Sequence, residues 1–228
     1  MEEISQIIRD IVGSIDNTIT GVFDSGNTTN YCLTKWARPG KTVIDTLSNE
    51  YIIDVVNVDE SLEVTQTSPP PLVDLTGVTF LPAPFFQTGT KIAAKSEWAK
   101  VKTDLLEKTP LIWLLEIITE RGLAADSSLE FETELRIFFL DECDVTQNTT
   151  EDNRREVVLP MKKLALEFLA TIRKNRIFKR VQNYDLKTFS RFGTEDDTGV
   201  IQNILDANLS GVELRFTLSK YKDKCKNC

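Results

Sequence analysis

Histidine is absent from all 228 residues. With it goes the side chain whose ordinary pKa lies nearest neutrality, so Ser-His-Asp hydrolysis, Cys-His proteolysis and every histidine-ligated zinc or haem site are excluded. Long apolar runs are also missing. The longest, Leu111-Ile112-Trp113-Leu114-Leu115, meets Glu116 at once, far short of the roughly 20 residues a membrane-spanning helix needs. Cysteine is scarce, at Cys32, Cys143, Cys225 and Cys228, and only Cys225-Lys226-Asn227-Cys228 has a suggestive spacing. Without histidine, a zinc site there requires Cys32 and Cys143, or a second chain, to complete the ligand set. A redox pair would sit at a helix start rather than in a lysine-rich tail. The expectation is four thiols, no metal and no cofactor. The opening Met1-Glu2-Glu3 is acidic where a secretory signal is basic, which predicts a chain made and kept in a cytosol, with no membrane partner. No P-loop, G-x-G-x-x-G or G-x-S-x-G string occurs. The acidic runs Asp141-Glu142 with Asp144, and Glu195-Asp196-Asp197, lack the spacing of a calcium loop and read as solvated loops. The chain is expected not to be an enzyme.

What is present is ample for a core, since 41% of residues are apolar. Ile4, Ile7, Ile8, Ile11, Val12 and Ile15 form one helical stripe, and Met161, Leu164, Ala165, Phe168, Leu169 and Ile172 form a second behind Pro160, which suits a helix N1 position. Residues 31–36 read as a short strand after a turn-rich piece, and residues 51–66 are β-branched up to Ser68-Pro69-Pro70-Pro71. Residues 68–97, with Pro82, Pro84, Phe80, Phe85 and Phe86, read as an extended proline- and aromatic-rich excursion, a loop or arm. Residues 95–107 suit a short helix. Leu111 to Ile118 is a buried strand or a helix turn. Leu129 to Phe139 alternates apolar with charged, as does Val212 to Leu218, and Tyr184 to Phe192 reads as a strand ending at Gly193. The prediction is one α+β domain over residues 1–228, an antiparallel sheet with two amphipathic helices on one face, ending in a flexible tail at 220–228.

Charge is divided sharply along the chain. Residues 1–153 hold 11 basic and 26 acidic groups, net −15, whereas residues 154–187 hold 10 basic and 3 acidic, net +7, within a total of −8. The net charge opposes non-specific DNA binding. The basic segment, including Arg173, Lys174, Arg176, Lys179 and Arg180, has three readings: a solvated helix face, a nucleic-acid contact, or a patch complementary to the acidic half of a neighbouring copy. Phe80, Phe85 and Phe86 are candidates either for packing at home or for docking on a partner.

Four strings occur together in one order: Thr109-Pro110-Leu111-Ile112-Trp113-Leu114-Leu115-Glu116, Leu135-Arg136-Ile137-Phe138-Phe139-Leu140, Val158-Leu159-Pro160-Met161, and Leu209-Ser210-Gly211-Val212-Glu213-Leu214-Arg215-Phe216. In this the chain resembles the tail-terminator-like and head-tail joining ring proteins of tailed phages and of prophages in Bacteroides-type bacteria, those of crAss-like phages included. The resemblance covers mainly residues 100–220. It implies an α+β subunit of the virion, assembled in the host bacterial cytoplasm into a homo-oligomeric ring of six or twelve copies between portal, neck and tail proteins, with genomic DNA passing through unread. It transfers no catalytic, metal or cofactor residue. The alternative is a DNA-contacting accessory protein using the basic 154–187 helix, and a third reading is a small metal-dependent enzyme built on the acidic loops.

Overall fold

The computed structural model describes residues 4–23, 28–31, 34–67, 77–100, 108–116, 118–123, 130–144, 149–175, 178, 181, 183–195, 201–205 and 207–220. Helix α1 (Ile4–Gly13) follows the first apolar stripe, burying Ile7, Ile8, Ile11 and Val12. It stops where Ser14 donates its N–H and its hydroxyl to Ile11 O, at 3.0 and 2.8 Å.

Six short strands follow: β1 (Thr18–Phe23), β2 (Thr28–Tyr31), β3 (Thr42–Asp45), β4 (Glu50–Asn57), β5 (Ser61–Gln66) and β6 (Gly77–Phe80). They pair antiparallel in the order β1-β2-β5-β4-β3-β6, and β6 returns to β1, so the sheet closes into a barrel. Alternation sends Ile19, Val43, Tyr51, Ile53, Leu62 and Val64 into the core, enough side chains to fill so narrow a bore. A register shift between Ile53 and Val55 gives β4 the local bend that closure needs. The β3–β4 turn is organised by Asp45, whose carboxylate accepts the N–H groups of Leu47 and Asn49 and the Asn49 side-chain amide, each at 2.8 Å.

The rest of the chain builds an open sheet from β7 (Phe85–Gly89), β8 (Leu111–Leu115), β9 (Thr119–Leu123), β10 (Glu130–Glu142), β11 (Tyr184–Phe189) and, after the small hairpin β12 (Gly193–Glu195) and β13 (Ile201–Asn203), β14 (Leu209–Lys220). The strand order is β11-β14-β10-β8-β7, with β9 beside the first half of β10. Its spine is the long antiparallel ladder running from Phe131↔Lys220 to Glu142↔Leu209. Gly211 permits this pairing: its φ is +155°, and a Cβ there would collide with the carbonyl oxygen of Phe139. One pair, β7 with β8, is parallel. Helix α2 (Lys91–Lys100) lies in the connection between them, the crossover that parallel neighbours require.

Each face of this sheet has its own cover. One meets α4 (Leu159–Lys174): Leu135, Ile137, Phe139, Val212, Leu214 and Phe216 pack against Met161, Leu164, Ala165, Phe168, Leu169 and Ile172, in a core continuous with α1 and the barrel interior. On the other, Trp113 stacks on Phe138 at 5.2 Å between ring centroids, with Phe192, Leu205, Leu209 and the α2 residues Ala94 and Trp98 around them. The fold is therefore α+β, a closed barrel joined to a mixed sheet.

Several elements start earlier than the sequence pattern suggests. In its described part the 68–97 span holds β6, β7 and the first turns of α2, while 68–76 lies outside the described residues. Helix α2 begins at Lys91 rather than at Lys95. The second amphipathic helix does not start at Pro160. It opens at α3 (Thr150–Asn153) with a capping box, in which Thr149 Oγ1 accepts the Asp152 N–H and Asp152 accepts the Thr149 N–H. A wide π turn, Arg154–Val158, then carries it into α4, with Leu159 N–H donating to Arg154 O. Proline has no N–H to give and crowds the carbonyl one turn back. The widened turn just ahead of Pro160 lets the helix run through it.

Candidate interaction surface

The barrel and the sheet are locked together by buried charge. Arg38 and Lys41, just ahead of β3, converge on Asp141 near the end of β10. Arg38 Nη1 and Lys41 Nζ lie 3.0 and 3.3 Å from the same carboxylate oxygen, and the Asp141 side chain is 1% exposed. Arg38 also donates to Glu142 O at 2.6 Å, and Lys41 to Thr109 O and Oγ1 at 3.0 and 2.6 Å. Burial pushes the Lys41 ammonium below its ordinary value, the neighbouring Arg38 adds to this, and Asp141 opposes it. Asp141 thus sits inside the fold, not in a solvated loop as its acidic run suggested. The signal was in the alternation: Leu135, Ile137, Phe139 and Asp141 share one face of β10, Cys143 continues the spacing just past its end, and all five are buried. Cys143 is accordingly a buried free thiol, its pKa raised by burial.

A second buried carboxylate, Glu213 on β14, takes Arg136 Nε at 2.6 Å and Arg215 Nε at 2.7 Å on one oxygen. Burial alone would raise its pKa, but hydrogen bonds from Arg215 and Arg136 outweigh this and hold it below the usual range. Beside the π turn, Asn153 Nδ2 donates to Ser190 O at 2.8 Å and Ser210 Oγ at 3.1 Å, tying the helix start to the sheet.

Where the barrel meets α4 the surface opens into a groove of about 500 Å³, with Asp54, Val55 and Val58 on the barrel bank and Arg155, Leu159 and Lys163 on the helix bank. Lys163 Nζ bridges the banks, 2.7 Å from Asp59 Oδ1, and holds the Asp59 carboxyl below its ordinary pKa. The barrel's own described cations are likewise engaged within the chain: Lys35 pairs with Asp16 at 2.9 Å, and Arg38 and Lys41 serve Asp141. The barrel wall therefore presents exposed Glu50, Asp54, Glu60 and Glu63 with no exposed cation of its own among the described residues. Opposite in sign, α4 exposes Lys162, Arg173 and Lys174.

Of the basic residues singled out by sequence, Arg173 and Lys174 occupy the exposed last turn of α4. Arg176, Lys179 and Arg180 lie outside the described residues. Phe80 is half-buried in β6, opposite Thr18 and Ile44. Phe85 and Phe86 are half-buried in β7, Phe85 against the Trp113 cluster and Phe86 against the main core, with the Arg9 guanidinium 5.7 Å from the Phe86 ring centroid. Cys32, Cys225, Cys228, Asp196 and Asp197 lie outside the described residues. Among the described residues no cluster of three potential metal ligands forms, and no helix is long and apolar enough to cross a membrane. Compared with protein-family models, with curated proteins and with solved structures, the chain matches none.

Proposed function

We propose that this chain is a structural subunit of a tailed-phage virion, forming an oligomeric ring at the head-tail junction between portal-side and tail-side proteins, around the DNA channel. The supporting observation is the segregation of surface charge. The barrel's cations are taken up inside the chain, which leaves an acidic wall, while α4 exposes cations that make no ion pair among the described residues. Unlike surfaces on one chain favour head-to-tail contact, which closes as a ring when the rotation per subunit permits. An acidic subunit also repels phosphate and so does not hold DNA moving through the channel. Arg173 and Lys174, with Arg176, Lys179 and Arg180 next in sequence, belong to the subunit contacts in this reading, whereas Phe85 and Phe86 pack on the chain's own cores.

The DNA-contacting alternative draws on the same α4 cations, but Leu159 and Leu166 stand exposed among them, at 38% and 40%, where a phosphate-binding stripe would be polar. Native mass spectrometry and negative-stain microscopy of the purified chain test the proposal. Closed rings are the expected result. A monomer that shifts a DNA probe, with affinity falling steeply as salt rises, would replace the ring with the accessory protein.

A further inference from the structure

Large exposed apolar side chains on this molecule are clustered. Nine are found among the described residues, of which Ile44, Leu47, Ile52, Val55 and Val58 belong to the β3–β4 hairpin and its continuing turn, and Leu159 and Leu166 to α4. Singly scattered apolar residues need no explanation, but a contiguous patch does. The barrel patch follows from the register: Val43, Tyr51 and Ile53 point inward, which turns Ile44 and Ile52 outward as diagonal neighbours across the β3–β4 pair. Val55 comes next beyond the shift in β4, opposite Glu63. Glu60 and Glu63 border the patch, and neither makes an ion pair among the described residues.

The helix presents the counterpart. Leu159, Lys162, Leu166 and Arg173 are spaced i, i+3, i+7 and i+14, a single stripe on the side opposite Met161, Leu164, Phe168 and Ile172. Leucines alternate with cations on α4 where aliphatic side chains alternate with carboxylates on the barrel. The chain already makes one contact of this type within itself, Lys163 of α4 on Asp59 of the barrel. That bond ties the two banks of the groove together, while Lys162, Arg173 and Lys174 stay exposed and make no ion pair among the described residues.

We infer that the β3–β4 wall of the barrel is the receiving surface for the α4 stripe of a second copy of this chain, with Leu159 and Leu166 seated among Ile44, Ile52 and Val55, and Lys162 and Arg173 paired with Glu60 and Glu63. This deepens the ring reading by naming its contact surfaces. Apolar burial supplies the adhesion, and the charges set orientation and exclude the like-with-like arrangements, α4 on α4 or wall on wall.

The test uses two charge-reversed full-length chains, one carrying Lys162→Glu and Arg173→Glu, the other Glu60→Lys and Glu63→Lys. All four sites are solvent-facing, so circular dichroism and melting should report an intact fold for both chains. Sedimentation equilibrium and native mass spectrometry are then run on the wild type, on each variant alone and on their equimolar mixture. The wild type should assemble, and each variant alone should assemble about tenfold more weakly or worse, because every contact sets like charges against each other. The mixture should recover wild-type assembly with the two chains alternating, since each reversed helix then meets an oppositely charged wall. Leu166→Ala should weaken wild-type assembly without lowering the melting temperature. A wild type that forms rings indifferent to both reversals, or a mixture that fails to recover, overturns this contact and leaves the ring reading standing. A wild type that is monomeric at every concentration overturns both.

Discussion

Replacing Asp141 with Asn tests whether buried charge holds the barrel to the sheet. The carboxylate is 1% exposed and stands 3.0 and 3.3 Å from Arg38 and Lys41, so its neutralisation leaves two cations in the interior with one neutral amide between them. Lys41 keeps its bonds to Thr109, and Arg38 keeps Glu142 O. The loss is therefore set near the usual cost of breaking one side of a buried pair, about 3–5 kcal/mol. With a urea slope of about 2 kcal/mol/M, the unfolding midpoint should fall by about 2 M. A pH signature separates this cause from general damage. The folded Lys41 already titrates below 10.5, and removing Asp141 takes away the group that raises it. Between the depressed folded value and 10.5 the unfolded state binds more protons, so stability rises with pH, and the deficit of the Asn variant should shrink towards pH 10. The buried guanidinium of Arg38, still facing the neutral amide, keeps part of the deficit in place. The triple change Asp141→Leu, Arg38→Met, Lys41→Met, which removes all three charges, should recover at least half of the lost stability. A midpoint shift below about 0.5 M for the Asn variant, an effect of about 1 kcal/mol, or a deficit independent of pH, would refute the reasoning.

Acid should destabilise the fold through its depressed carboxylates. Asp16 is held at about 2 chiefly by Lys35, but it is mostly exposed and contributes little. Asp45 is nearly enclosed: burial alone would raise its pKa, yet the bonds from Asn49, Leu47 and Tyr51 bring it below 3.8. Its stabilisation is complete above 3.8 and is lost as pH falls through the lower folded value, so below pH 4 the melting temperature of Asp45→Asn should fall less steeply with pH than that of the wild type. Gly211→Ala should be severe, about 3 kcal/mol or more, because both the backbone angle and the Phe139 carbonyl forbid a Cβ; a melting temperature within a few degrees of the wild type would show that the β10–β14 ladder can yield there.

Much was legible in the chain by itself. Local periodicity placed α1, β10, β14 and the core face of α4, because in each the buried side chains recur at the spacing of the element that buries them, and β-branched composition marked the 51–66 stretch without dividing it into β4 and β5. The uneven charge was legible too, down to the exposed Arg173 and Lys174. Closure of the first half into a barrel was not, because it depends on β6 reaching back to β1 and across to β3, pairings between distant strands that no local pattern encodes. Nor was the parallel β7–β8 pair, concealed by prolines and aromatics that read as a loop. Asp141 shows the difference most directly. By composition it is one acid in an acidic run. Strand alternation turned it inward, and only the tertiary arrangement supplied Arg38 and Lys41 from about a hundred residues earlier in the chain. Their convergence turned a charge that water would otherwise solvate into the joint between barrel and sheet, since a buried ion is tolerated only where opposite charges have been brought to meet it.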